Sequence, residues 1–110
     1  MSGWIGVDLD GTLAEYHGFG NGEIGKPIPA MLMRVQKWRL SGKEVRIFTA
    51  RVCYDTTGEV KRAIEKWCLI HIGHVLPVTC QKDFGMIELW DDRCVTVEAN
   101  TGRVIRAQVE

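Results

Sequence analysis

Trp4-Ile5-Gly6-Val7-Asp8-Leu9-Asp10-Gly11-Thr12 decides how this chain reads. An apolar run that ends in turn residues predicts a buried strand. On that strand Asp8 and Asp10 share a face, because side chains repeat every two residues. Gly11 lets the chain turn sharply after them, and Thr12 can hydrogen-bond locally to steady the turn. Three more apolar runs end in polar residues. Val45-Arg46-Ile47-Phe48 leads to Thr49, Val78-Thr79-Cys80-Gln81 to Lys82, and Ile87-Glu88-Leu89-Trp90 to Asp91-Asp92. Ligands of open parallel sheets sit at the carboxyl ends of the strands. Four such strands would bring four carboxylates, a hydroxyl and an ammonium to one edge, a plausible site for a metal and a phosphate.

The remaining sequence fits an α/β pattern. The stretch 14–26, with four glycines between Glu15 and Lys26, predicts a mobile flap. Pro27-Ile28-Pro29 opens a helix in which Met31, Leu32, Val35, Trp38 and Arg39 follow helical spacing, and Gly42 stops it. Glu44 to Ala50 predicts a second strand. Thr56 or Thr57 is expected to cap a second helix, with Val60, Ile64, Trp67 and Cys68 on one face and Gly73 at its end. Leu76 to Cys80 predicts a third strand, weakened by Pro77, and Ile87 to Trp90 a fourth. Cys94 to Glu98 and Arg103 to Gln108 alternate around Asn100-Thr101-Gly102, a hairpin pattern. This order predicts an α/β domain with a mainly parallel sheet, strands one and two lying side by side.

Composition bounds the function. One domain, residues 1–110, is expected from the length, and 45% hydrophobic residues suffice for a core without disulfides. Fourteen basic residues balance fourteen acidic ones, which gives no support for tight nonspecific binding to nucleic acid or membrane. No stretch approaches the ~20 apolar residues of a membrane span. Cys53, Cys68, Cys80 and Cys94 show no C-x-x-C spacing, which argues against zinc. No signal peptide is legible, so reduced core thiols in a cytoplasmic protein are expected.

The carboxylates carry the chemistry. A calcium loop starting at Asp8 would need a glutamate at its twelfth position, where Phe19 stands. Converging carboxylates repel one another unless a cation neutralises them. Mg²⁺ suits such a set, because it takes oxygen ligands and often bridges to a substrate phosphate. Alternation along the strand would send Asp91 and Asp92 to opposite faces, so only one of them is expected to bind metal directly; Asp91, which directly follows the apolar strand, is the first choice, with Asp92 in support.

Ile5 to Leu13 resembles the first motif of the haloacid dehalogenase superfamily of aspartate-nucleophile phosphohydrolases. Ile47-Phe48-Thr49 is similar to the second motif, Lys82 to the third, and Leu89-Trp90-Asp91-Asp92 to the fourth, in the family's order. The resemblance implies a Rossmann-like three-layer sandwich, here without a cap, since only 38 residues lie between Asp10 and Thr49. It implies a Mg²⁺-dependent phosphatase in which Asp8 attacks phosphorus and Asp10 is the acid and base. Metal would be held by Asp8, the Asp10 backbone carbonyl and the Asp91-Asp92 pair. Thr49 and Lys82 would hold the phosphoryl oxygens.

Thr49-Ala50-Arg51 and Asp91-Asp92-Arg93 also resemble the phosphatase half of polynucleotide kinase-phosphatases, and Arg51 could grip phosphate bidentately. The implied substrates are a phosphorylated small molecule, a nucleotide or an oligonucleotide end. A 3′-phosphatase for nucleic-acid ends and a phosphate-binding module without turnover are the competing readings. An open domain with four tryptophans is compatible with a homo-oligomer. Tyr16 and Phe19 in the flap could stack on a base, while His17, His71 and His74 share no ligand spacing. Trp4, Trp38, Trp67 and Trp90 are expected to pack.

Overall fold

The computed structural model describes residues 3–18 and 22–105. Its order is β1 (Trp4–Asp8), α1 (Pro29–Leu40), β2 (Glu44–Phe48), α2 (Glu59–His71), β3 (Val78–Thr79), β4 (Met86–Trp90), then β5 (Thr96–Val97) and β6 (Val104–Ile105). The first four strands form one parallel sheet in the order β3-β2-β1-β4. The expected neighbours β1 and β2 pair along their whole length, from Trp4 beside Glu44 to Asp8 beside Phe48.

Both helices lie on one face of the sheet. The crossovers β1-α1-β2 and β2-α2-β3 step in the same direction, and right-handed connections then place both helices on the same side. The core agrees: Ile5, Val7, Val45 and Ile47 from alternate strand positions pack with Met31 and Val35 of α1 and Ile64, Trp67 and Cys68 of α2. The Gln36 side chain ties the helices by donating to the Ile72 carbonyl at 2.9 Å.

The described residues therefore form two layers where the resemblance implies three. The reason is the connection from β3 to β4. Thr79 lies at the carboxyl edge of the sheet and Met86 pairs with Trp4 at the opposite edge, so residues 80–85 must run across the second face with no length left for a helix. That face is covered by side chains. Trp4 is 2% exposed, stacks 6.5 Å from Phe48, lies under the Arg46 guanidinium at 4.4 Å and donates its indole N–H to Asp83 at 2.9 Å.

Several boundaries differ from the sequence reading. β2 stops at Phe48 instead of Ala50, because the Thr49 hydroxyl accepts from the Arg51 N–H and starts a 3₁₀ turn, Ala50–Val52. β3 shrinks to two residues, since Pro77 has no N–H to give and Leu76 is drawn into the core. The start of α2 is shared between Thr57, which accepts from the Glu59 N–H, and Asp55, which accepts from Gly58 and Lys61. Hairpin β5-β6 is shorter than expected and forms its own two-stranded sheet, closed by an Arg103–Glu98 ion pair at 2.8 Å. Expectations for Phe19 and for the hairpin beyond Ile105 fall outside the described residues.

Of the four free thiols only Cys68 is in the core; Cys53 and Cys94 are exposed and Cys80 is half-buried. Among the described residues no helix is long and apolar enough to cross a membrane.

Ile47 sits fully buried at the centre of the sheet, whereas Ile105 is 42% exposed on the separate hairpin. Ile47→Ala should cost about 2–5 kcal/mol in urea unfolding, and Ile105→Ala no more than about 0.5 kcal/mol.

Candidate functional site

β1 and β4 end side by side, with Val7 paired to Trp90, so Asp8 and Asp91 leave the sheet as neighbours. Strand alternation ends at Trp90, and the chain turns. Asp91 and Asp92 then both face Asp8 instead of opposite sides: one carboxylate oxygen from each of the three lies within 4.8 Å of the others. The carboxylate of Asp10 is not in this cluster.

Two residues of the turn after β1 hold Asp92 in place. Thr12 Oγ1 accepts from the Asp92 N–H at 2.9 Å, and its hydroxyl hydrogen points at Asp92 Oδ1 at 3.0 Å, with Asp8 Oδ2 at 3.4 Å. Gly11 has φ +91°, and a Cβ there would lie 2.6 Å from Asp92 Oδ2. Only glycine suits both the backbone and the approach. The sequence reading gave Thr12 a local role; its partner lies 80 residues on, and no short-range pattern could reveal it.

Crowding changes the acidity. Asp8 is half-buried, and its pKa rises from 3.8 to about 7. Desolvation is the largest cause, followed by the charge of Asp91, a hydrogen bond with Asp92 and the charges of Asp92 and Asp10. All the donors of this trio are carboxylate oxygens, the chemistry that hard divalent cations such as Mg²⁺ take.

Asp10 is held differently. Arg51 Nε donates to Asp10 Oδ2 at 2.7 Å and Nη2 to Oδ1 at 2.9 Å, a two-pronged pair with side chains only 12% and 16% exposed. The same guanidinium donates to the carbonyls of Gly22 and Glu23 in the flap at 2.7 and 3.3 Å. The flap is also zipped at its base, where Glu15 N–H meets the Lys26 carbonyl and Ile28 N–H the Leu13 carbonyl, both at 2.8 Å. The Trp67 indole N–H reaches the Gly25 carbonyl at 2.9 Å.

These groups surround one cavity of about 990 Å³, lined by Asp8, Asp10, Thr49, Arg51, Asp91 and Arg93 among others. Thr49 is 2% exposed and donates its backbone N–H to the Thr79 carbonyl at 2.9 Å. Tyr16 and Asp92 also line the cavity. Lys82 does not: it is exposed on the crossover loop, which turns away from this edge to reach the start of β4.

The class defined by this geometry is an α/β domain with a parallel sheet and an acidic cluster at its carboxyl edge. Among solved structures, the chain is similar to a conserved protein from Bacteroides thetaiotaomicron, with a TM-score of 0.62 and 21% identity over 86% of this chain and 78% of that one. At that identity the likeness shows the fold alone. No family model and no curated protein matches the chain.

Three outcomes follow from the electrostatics. With metal removed by a chelator, the folded protein keeps a proton on Asp8 that the unfolded chain releases near 3.8, so stability should fall as pH rises from about 4 to about 7. Asp8→Asn removes the repulsion. Solvent screens part of it at this half-buried position, so the gain at pH 7 should be about 1 kcal/mol, seen as a rise of roughly 4–8 °C in Tm. Arg51→Ala leaves the Asp10 carboxylate without its partner and should cost roughly 2–4 kcal/mol in denaturant unfolding. Arg51→Lys should recover only part of that, since one ammonium cannot engage both oxygens.

Proposed function

We propose that this chain is a Mg²⁺-dependent phosphomonoester hydrolase of the haloacid dehalogenase type, working through an aspartyl-phosphate on Asp8. The observation that carries the reading is the convergence of Asp8, Asp91 and Asp92 within 4.8 Å, on a cavity that also takes in Asp10 and Thr49. Five residues that the family pattern singles out line this one cavity.

Asp8, Asp91 and Asp92 would hold the metal, with the Asp10 backbone carbonyl as a further donor. When bound, Mg²⁺ would supply charge neutralisation for the cluster and for a phosphate. An Asp8 oxygen attacks phosphorus, and the bond from phosphorus to the leaving oxygen breaks. Asp10, once free of Arg51 and protonated from solvent, gives that proton to the leaving oxygen, then takes one from the water that attacks the phosphoenzyme and releases inorganic phosphate. A carboxylate clamped on both oxygens by Arg51 cannot reach a leaving group. Asp10 therefore acts after Arg51 lets go, and the freed guanidinium is then available to grip phosphate.

Thr49 and Lys82 are the proposed phosphate-holding pair. Thr49 already lines the cavity. Lys82 would reach it on its four-carbon stem from the crossover loop, and Arg93, which does line the cavity, is the alternative cation. No cap-sized insertion stands over the site among the described residues, which suits a bulky phosphate ester.

Hydrolysis of p-nitrophenyl phosphate tests the reading. Activity should require Mg²⁺, vanish with EDTA and vanish in a folded Asp8→Asn protein. Wild-type turnover by Asp8→Asn would remove the covalent mechanism. Lys82→Ala should lower kcat/KM by about 10²-fold, the scale of losing one transition-state donor. Unchanged kinetics there, with loss in Arg93→Ala, would transfer the role to Arg93.

A further inference from the structure

The cavity is far larger than the phosphoryl group that the proposed chemistry needs. Its volume of about 990 Å³ lies at the upper end of the roughly 300–1,000 Å³ of pockets that hold drug-sized ligands. The acidic trio stands where β1 and β4 end. The remaining space is open to the organic part of a substrate.

That organic part has a direction. The leaving oxygen must touch the Asp10 carboxyl when it takes the proton, so the leaving group extends from phosphorus toward Asp10. The Arg51 guanidinium that holds Asp10 also holds the Gly22 and Glu23 carbonyls of the flap. A leaving group at Asp10 therefore runs toward the flap. Two apolar side chains line the cavity on this side. One is Tyr16 of the flap itself. The other is Val60 in the first turn of α2, which packs on the 3₁₀ turn that carries Arg51.

The backbone fixes where Tyr16 starts. The Gly11 N–H donates to the Ala14 carbonyl and the Glu15 N–H to the Lys26 carbonyl, both at 2.8 Å. A Cβ on Gly25 would collide with the Glu15 carbonyl, so the two arms of the flap touch immediately before Tyr16. Tyr16 then lines the cavity with 42% of its surface exposed. The other aromatic ring in the lining, Phe48, is stacked on Trp4. A half-exposed ring at the leaving-group side is a surface that a flat ligand ring covers well, because offset or edge contacts between rings add to the burial of area.

We propose that Tyr16 is the specificity residue of this site and selects phosphate monoesters whose organic part carries a planar aromatic ring, which packs on the Tyr16 ring. The proposal rests on the phosphatase reading, which supplies the phosphate end of the ligand. Val60 lends apolar area to any leaving group, whereas Tyr16 distinguishes a flat ring from a saturated one of equal carbon number.

Phosphonates test this without turnover, because their carbon–phosphorus bond takes no part in the proposed chemistry. Methylphosphonate, cyclohexylmethylphosphonate and benzylphosphonate are titrated calorimetrically into the full chain with saturating Mg²⁺. In the last two a methylene stands where an ester has its oxygen. All three should bind, and benzylphosphonate should bind roughly 2- to 10-fold tighter than cyclohexylmethylphosphonate. Tyr16→Phe should keep that ratio. Tyr16→Leu, which retains apolar bulk without a ring, should bring it to about one. The ratio compares two ligands within one protein, so a general loss of affinity does not mimic the result. Benzylphosphonate binding no tighter than cyclohexylmethylphosphonate in the wild type, or a preference that survives Tyr16→Leu, would overturn the proposal. Methylphosphonate binding would then still stand, and the phosphatase reading with it. Binding of none of the three would overturn both.

Discussion

Repulsion among three carboxylates is the constraint that the site is built around. Asp8, Asp91 and Asp92 lie closer than three negative charges would choose, and Asp8 responds by holding a proton to about pH 7. The surrounding structure maintains this. β1 and β4 pair in parallel register, which fixes where Asp8 and Asp91 emerge. Thr12 then bonds both the backbone and the carboxylate of Asp92. Gly11 leaves the gap into which that carboxylate fits. A cluster held against its own repulsion is a place where a cation gains the most, because binding converts the largest unfavourable interaction into a favourable one.

The opposite tactic is used for Asp10. Its charge is satisfied internally by Arg51, whose remaining donors hold the carbonyls of Gly22 and Glu23. One side chain thus connects the proposed proton carrier, the 3₁₀ turn after β2 and the flap. Its release would free Asp10 and loosen the flap together. The flap's base is anchored by backbone pairing and by Trp67.

The direct crossover from β3 to β4 shapes the rest. It leaves the second face of the sheet to Trp4, Phe48 and Arg46, which cover it by stacking instead of by a helix. Asp83, on the crossover, accepts the Trp4 indole and lies 3.9 Å from Arg46, so the loop is pinned to the face it crosses. The same path carries Lys82 away from the cavity edge. The economy of a short chain and the position of a candidate phosphate ligand have one cause.

The local pattern by itself determined much of the molecule. Apolar runs marked β1, β2 and β4 and their polar ends; burial between neighbours demands such runs in β1 and β2, whereas β4 is an edge strand without a fully buried residue. Helical spacing marked α1 and α2, and Gly42 and Gly73 their ends, each with positive φ. The doublet at Asp8 and Asp10 and the pair Asp91-Asp92 stood out as carboxylates at strand ends. Only the tertiary structure decided how these carboxylates divide. Both aspartates of the pair join Asp8 because the chain turns after Trp90, while Asp10 leaves for an arginine 41 residues away. It also decided that both helices share one face and that Thr12 serves Asp92. Each of these depends on which strands lie side by side and on the direction the chain takes after them. Periodicity records what a residue buries, and it carries no information on which distant segment will stand beside it.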